Sequence, residues 1–255
     1  MQRISVSPNL FFCENPAFGN YSQSVIFDIL RFVDLNMSKA LGLVPFSTKR
    51  CLIDASSVDN PVTYDYGDIH LILLSTHDDY WGQWVYQFAH EYCHHFINGT
   101  FSGEIKGLLW FEEMICEVSS IYNLYSIADD WSKSPLQSKL HFVPSLRQYA
   151  RHCIGHSEKI PTGQYRKNGG LDYYTNNHTN SQLTYNRNLY TCLGVSSFLP
   201  QVIENPKLWR IILHIGDIRG YQSLEELFGH LFDCSDPSYV QSLANFQRLL
   251  YKMVK

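Results

Sequence analysis

The stretch QFAHEYCHH at 87–95 places histidines and an acid among aromatic and apolar side chains, and it decides how the surrounding chain is organised. Residues four apart on a helix lie on one face, so His90 and His94 would stack one above the other with Glu91 beside them. At about 100° per residue, the apolar side chains of this region form a stripe on the other side of the helix. The stripe consists of Trp81, Trp84, Val85, Phe88, Tyr92 and Phe96. Because the histidines do not interrupt it, they form a polar stripe of their own with Gln83 and Gln87.

Short apolar runs and helical patterns flank this stretch. RCLIDAS (50–56) and DIHLILLS (68–75) have the composition of strands, and a turn-rich segment at 59–67 separates them. We expect one helix over 22–43 and a second over 78–97. Thr76 and Asp79 resemble a capping box for the second helix, and Asn98-Gly99 is a stop signal.

The chain after the stretch is mainly helical. A helix is expected to start near Leu109, followed by a shorter piece around 136–152, and the later helices are expected at 185–203, 207–217, 222–232 and 237–253. The polar segment 159–182 is too long for an ordinary connection, so we expect it to be functional or mobile. This order predicts an α+β fold, with a small mixed sheet and the histidine helix in an N-terminal lobe (1–98) and a mainly helical lobe at 99–255.

Composition excludes several classes of protein. The net charge of −4 and the absence of a basic block argue against nucleic-acid binding. No run of about 18 apolar residues occurs, so we expect no membrane span. No signal peptide is visible, and the seven scattered cysteines contain no C-x-x-C pair, which is typical of reduced thiols. We therefore expect a cytoplasmic protein, with nonclassical export left open and the oligomeric state unpredicted.

A third candidate ligand lies in the next helix. Catalytic zinc needs three protein ligands and an open position, and Glu113 follows His94 after 18 residues, 95–112. Glu117 comes one turn later on the same face, where it can accept the second ring N–H of a ligating histidine. The alternative is that Glu113, Glu117 and Glu112 form a solvated acidic face.

The pattern H-E-x-x-H, then 18 residues, then Glu resembles the gluzincin zinc metallopeptidases, in the zinc aminopeptidase and leukotriene-hydrolase branch. The segment WFEEMICE (110–117) looks like the second helix of that branch. The resemblance implies a single zincin-like peptidase domain over 1–255 with Zn²⁺ as cofactor and a peptide or protein as substrate. Its zinc ligands would be His90, His94 and Glu113. Glu91 would be the general base, and Glu117 would orient a ligating histidine.

The resemblance implies two further features. The strand at 68–75 would bind extended peptide along its edge, and a tyrosine would stabilise the oxyanion. Tyr190 is the best match for that tyrosine and Tyr185 is the next. The branch's G-x-M-E-N segment, which holds a substrate's free amine, has no counterpart in 60–78. We therefore expect an endopeptidase rather than an aminopeptidase.

Other interpretations stay open at this point. A peptidase-like fold can serve as a non-catalytic binding or scaffold protein, although Glu91 is intact. The same site can hydrolyse a non-peptide substrate, and the 159–182 segment can cover the cleft. Cys93 and Cys116 are expected to be packed thiols, while His95 is expected either to support a ligand or to be solvated.

Overall fold

The strands lie in the first third of the chain and helices make up most of the rest. The computed structural model describes residues 2–42, 49–58, 60–99, 108–131, 142–157, 183–216 and 223–254. The strands are β1 (Arg3–Ser7), β2 (Leu10–Cys13), β3 (Arg50–Ala55), β4 (Val62–Asp65) and β5 (Ile69–Leu74). The helices are α1 (Gln23–Leu41), α2 (Trp81–Asn98), α3 (Leu109–Asp130), α4 (Val143–Ser157), α5 (Leu183–Ser197), α6 (Leu199–Glu204), α7 (Ile212–Ile215), α8 (Leu224–Asp233) and α9 (Val240–Val254), with 3-10 turns at Pro16–Phe18 and Pro206–Ile211. The predicted α+β class and mixed sheet are confirmed.

The five strands form one sheet in the order β1-β2-β3-β5-β4. β2, β3 and β5 run parallel to one another, while β1 and β4 are antiparallel to their neighbours. β5 is therefore paired on both sides, by β3 and by β4. The expectation that the strand at 68–75 offers an edge to a peptide is wrong, because its neighbours already occupy both edges. Among the described strands, β4 is the outer strand on that side.

One face of the sheet packs against α1 and α2. Phe12, Ile53 and Ile72 pair across three strands and are fully buried. The ring of Phe12 contacts those of Phe27 on α1 and Trp84 on α2, with centroids 5.4 and 6.2 Å apart. Alternation along the strands therefore directs one apolar row at the two helices.

α2 is tied to the sheet and to α3 by side-chain hydrogen bonds. Gln87 accepts from the backbone N–H of Ser75 and donates to its Oγ, both at 2.9 Å. Ser119 of α3 donates to the carbonyl oxygen of Ala89 (2.9 Å), and Ser120 donates to that of Tyr86 (2.8 Å). Ser120 follows Ser119 on α3, whereas its partner Tyr86 precedes Ala89 on α2. The two helices therefore run in opposite directions.

The chain forms two compact units. The first contains 1–99 and 119–150, and the second contains 100–118 and 151–255. The boundary falls inside α3, which is one uninterrupted helix. The predicted lobes are two continuous segments, 1–98 and 99–255. In the structure, residues 119–150 belong to the first unit instead of the second.

The second unit has an aromatic core. The ring of Phe111 on α3 lies 6.1 Å from that of Phe228 and 5.9 Å from that of Phe246, measured between centroids. Phe198 contacts Phe246 at 4.9 Å. These rings are fully buried, so they anchor α3, α8 and α9 in one apolar cluster.

Several boundaries differ from the predictions. β1, β2 and β4 were not predicted. The helix expected over 185–203 is interrupted at Phe198, because Pro200 starts a new helix there. The helix expected over 207–217 begins as a 3-10 turn.

The predicted capping box is wrong. Tyr80 precedes α2 without a side-chain bond, and Asp79 instead accepts from the Ser22 backbone N–H at 2.9 Å. The expected segment 159–182 lies outside the described residues.

Replacing Gly19 with alanine tests the contact between the end of the 3-10 turn Pro16–Phe18 and Asp78, which precedes α2. Gly19 has φ 74° and ψ −145°, a region that is accessible essentially only to glycine. A Cβ there would overlap Oδ1 of Asp78, which accepts from the Asn20 backbone N–H at 2.7 Å. We expect Gly19→Ala to lower the free energy of unfolding by about 2–5 kcal/mol in a urea titration.

Gly67→Ala is the matched control. Gly67 has φ 78°, but no atom lies within 4 Å of a Cβ at that position. Its loss should be about 1 kcal/mol, reflecting backbone strain alone. Equal losses in the two variants would contradict the steric account of Gly19.

Candidate functional site

α2 is buried nearly all round. Fourteen of its 18 residues are buried, including every member of the predicted apolar stripe. The polar stripe is not a solvent face, since His90 is only 4% exposed and Gln87 is also buried. Gln83 and His94, at the two ends of the stripe, are half-buried.

The structure brings the three predicted ligands together. The rings of His90 and His94 have centroids 5.0 Å apart. One ligand atom from each of His90, His94 and Glu113 lies within 4.8 Å of the other two, and no other such group of three occurs among the described residues. Tetrahedral zinc with ligands at about 2.0–2.2 Å sets neighbouring donor atoms about 3.4 Å apart, which small side-chain rotations can reach. Two neutral imidazoles and one carboxylate are a donor set that suits a divalent cation.

Helix geometry explains how Glu113 reaches this position. Ser119 contacts α2 at Ala89, and the two helices run in opposite directions. Glu113 precedes Ser119 by six residues, or about 9 Å along the helix axis, and His94 follows Ala89 by five residues, or about 7.5 Å. The two side chains therefore arise at the same level of the helix pair.

The carboxylate of Glu91 is buried and held by a neighbouring strand. Glu91 is 4% exposed, and its Oε2 accepts a hydrogen bond of 2.7 Å from Oγ1 of Thr63 on β4. A buried carboxylate without a donor is strongly unfavourable. Thr63 therefore supplies a partner that the predicted general base requires.

Glu117 is also buried, with donors from α5. It is 1% exposed. Its two oxygens accept from Nε of Arg187 (2.7 Å) and Oγ1 of Thr191 (3.1 Å). Since Glu112 is buried as well, the alternative of a solvated acidic face is wrong. The expected support of a ligating histidine by Glu117 stays a prediction.

The two candidate tyrosines both belong to α5. Tyr190 is buried and lies three residues after Arg187 and one before Thr191. It therefore lies on the same turn of α5 as the two residues that bond to Glu117. The side chain of Tyr185 lies outside the described part of α5. The oxyanion role of either tyrosine stays a prediction.

His95 has a role in the core rather than in solvent. It is buried, and its Nδ1 lies 2.9 Å from Nδ1 of His70 on β5, so one ring donates to the other. Burial, with smaller contributions from the charges of His70 and Lys49, lowers the pKa of His95 to about 3. The ring is therefore neutral near pH 7, and the expectation that it is solvated is wrong.

None of the seven cysteines belongs to the group of His90, His94 and Glu113, which we call the metal group. All seven are free thiols, and Cys93 and Cys116 are fully buried, which confirms the prediction that they are packed. Burial is the main cause that raises the pKa of Cys153 to about 12, and the charge of Glu117 adds to it. Cys153 is therefore protonated and unreactive at neutral pH.

Sequence reasoning missed the residues that hold the two buried acids. Thr63 had a local signal, because VTYD (62–65) alternates and a short Gly-containing link joins it to the next apolar run, as in a hairpin. Arg187 and Thr191 had none. Their partner Glu117 is about 70 residues away along the chain, and a single sequence does not reveal such a pair.

The chain matches no protein-family model, no curated protein and no solved structure. The gluzincin resemblance therefore rests on the motif spacing and on the grouping of His90, His94 and Glu113. Within the described ranges, no helix is both long enough and apolar enough to cross a membrane.

Replacing Gly194 tests the contact that aligns α5 with α3. A Cβ at Gly194 would overlap Cγ2 of Val118 and lie 3.0 Å from the carbonyl oxygen of Met114. We expect Gly194→Ala to lower the free energy of unfolding by about 1–3 kcal/mol, because α5 must move away from α3. Gly229→Ala, at a helical position with no atom within 4 Å of the new Cβ, should instead gain up to about 1 kcal/mol. A gain in both variants, measured by urea unfolding, would contradict this packing.

Proposed function

We propose that this chain is a zinc-dependent metallopeptidase that hydrolyses peptide bonds within a chain. One observation carries the proposal: the ligand atoms of His90, His94 and Glu113 lie within 4.8 Å of one another. Glu91 follows His90 directly on the same helix. The gluzincin resemblance implies these same residues as two histidine ligands, a general base and a glutamate ligand.

Each residue of the group has a distinct role in this proposal. His90, His94 and Glu113 would hold the zinc. The bound ion would supply Lewis acidity, lowering the pKa of a water molecule and polarising the substrate carbonyl. Glu91 would accept the proton of the attacking water and pass it to the leaving amine. Because Glu91 is buried, its carboxylate works in a low-dielectric environment where its interactions are strong.

We propose the outer edge of β4 as the place where an extended substrate adds to the sheet. Among the described strands, none pairs with that edge. Thr63 links β4 directly to Glu91, so a peptide added there would run beside the base. Backbone hydrogen bonds of this kind bind a chain without depending on its side chains.

A zincin-like fold and a cytoplasmic location belong to the same proposal. β5 leads into α2 through 75–80, as the resemblance implies for the strand before the active helix. The seven free thiols suit a reducing compartment.

Metal content and peptide cleavage test the proposed function together. We expect about one chelator-removable zinc per wild-type chain and cleavage of a peptide library. Glu91→Gln should keep the zinc and lose about 10²–10⁴-fold in kcat, because the base is lost. Glu113→Gln should lose both zinc and activity, because a ligand is lost.

Glu112→Gln is the matched control, since Glu112 is a buried acid next to Glu113 but outside the metal group. It should keep both zinc and cleavage. Wild-type protein without stoichiometric zinc would contradict the proposal. Zinc without peptide cleavage would indicate a binding protein or a hydrolase of another substrate.

The two tyrosines can be distinguished by removing one hydroxyl at a time. If Tyr190 stabilises the oxyanion, Tyr190→Phe should lower kcat by about 10²–10³-fold with little change in KM, as for other oxyanion donors. Tyr185→Phe should remain close to wild type. Steady-state kinetics on one peptide decides between them, and the opposite pattern would assign the role to Tyr185.

A further inference from the structure

We infer that Thr63 of β4 is a positioning residue that holds the general base Glu91 in its working orientation. This inference rests on the proposed function. Oγ1 of Thr63 lies 2.7 Å from Oε2 of Glu91 and 3.2 Å from the backbone carbonyl oxygen of the same residue. One hydroxyl therefore contacts both ends of the residue that the proposed reaction needs as its base.

The proton of the Thr63 hydroxyl goes to the carboxylate. A hydroxyl has a single proton to donate, and the side-chain oxygen is the nearer acceptor, at 2.7 Å against 3.2 Å for the carbonyl oxygen. The carbonyl oxygen of Glu91 already accepts from the next turn of the helix, as in any α-helix. Thr63 thus restrains one carboxylate oxygen of Glu91, which fixes the plane of the carboxylate and the direction of the other oxygen.

Thr63 is itself held firmly. It pairs with Ile72 in the β4–β5 ladder. Asp65, two residues later on the same face of β4, contacts Nζ of Lys49 at 3.0 Å and lies 3.6 Å from Nε2 of His70. The strand that carries the hydroxyl is therefore held by its pairing with β5 and by the side-chain contacts of Asp65.

Such restraint matters for a proton transfer. Displacing a catalytic group by about 1 Å can lower a rate by about 100-fold. A threonine that only satisfied a buried acid would affect stability, whereas a threonine that aims the base also affects kcat. Ser75 offers the comparison, because its Oγ also bonds to a side chain of α2, accepting from Nε2 of Gln87 at 2.9 Å, outside the metal group.

The first test is kinetic and uses the zinc-loaded full chain. Thr63→Val should lower kcat at least about tenfold while KM stays within about twofold and zinc content is unchanged. Thr63→Ser, which restores the hydroxyl, should return kcat to within about threefold of wild type. Ser75→Ala should leave kcat unchanged. An unaltered kcat in Thr63→Val, or an equal loss in Ser75→Ala, overturns the inference.

The second test needs no activity. In chelator-treated protein, Thr63→Val should raise the unfolding equilibrium constant about tenfold, because a buried carboxylate loses its donor. Combined with Glu91→Ala, the same change should raise it less than about threefold, because the acceptor is gone. Equal effects in both backgrounds overturn the contact. A wild-type chain that binds no zinc and cleaves nothing contradicts the proposed function, while this cycle still decides whether Thr63 holds Glu91.

Discussion

Two hydroxyl groups of α3 donate to backbone carbonyls of α2, and the rest of the site depends on this contact. Because serine is small, Ser119 and Ser120 let the two helices approach closely enough for side chain and backbone to meet. With the direction and level of the helices fixed there, the rise of 1.5 Å per residue determines what meets further along. Glu113 then arises beside His94, so a third candidate ligand from another helix joins the two histidines in one group. The grouping of these three side chains is thus a consequence of helix packing rather than of a dedicated loop.

Buried charge is the second constraint on this region. Glu91 and Glu117 are both almost fully removed from solvent, which is unfavourable unless each carboxylate receives hydrogen bonds. The fold supplies separate donors, Thr63 for the first and Arg187 with Thr191 for the second. Glu113 is only half-buried. The acids on the two helices therefore occupy different environments, which suits different roles for a base, a ligand and a structural anion.

Part of this arrangement can be predicted from the amino-acid sequence. The apolar stripe of α2 and the strands β3 and β5 follow from local periodicity, and the 18-residue interval singles out Glu113. β4 was not predicted because it has only four residues, two half-buried and two exposed, although Gly67 marks a turn after it. Thr63 and Glu91 are 28 residues apart, and Arg187 and Glu117 are 70 apart. Only the tertiary structure brings such partners together. His95 was misplaced for the same reason, since its environment is set by His70 on β5.

X-ray absorption at the zinc edge tests the central claim most directly, because it reports which atoms bind the metal. Zinc held by His90, His94 and Glu113 should show only nitrogen and oxygen neighbours at about 2.0–2.2 Å, with the scattering of two imidazole rings. Substitution of either histidine should remove the scattering of one imidazole ring. A sulfur neighbour at about 2.3 Å, which would implicate a cysteine, or purified protein without bound zinc, would contradict the account.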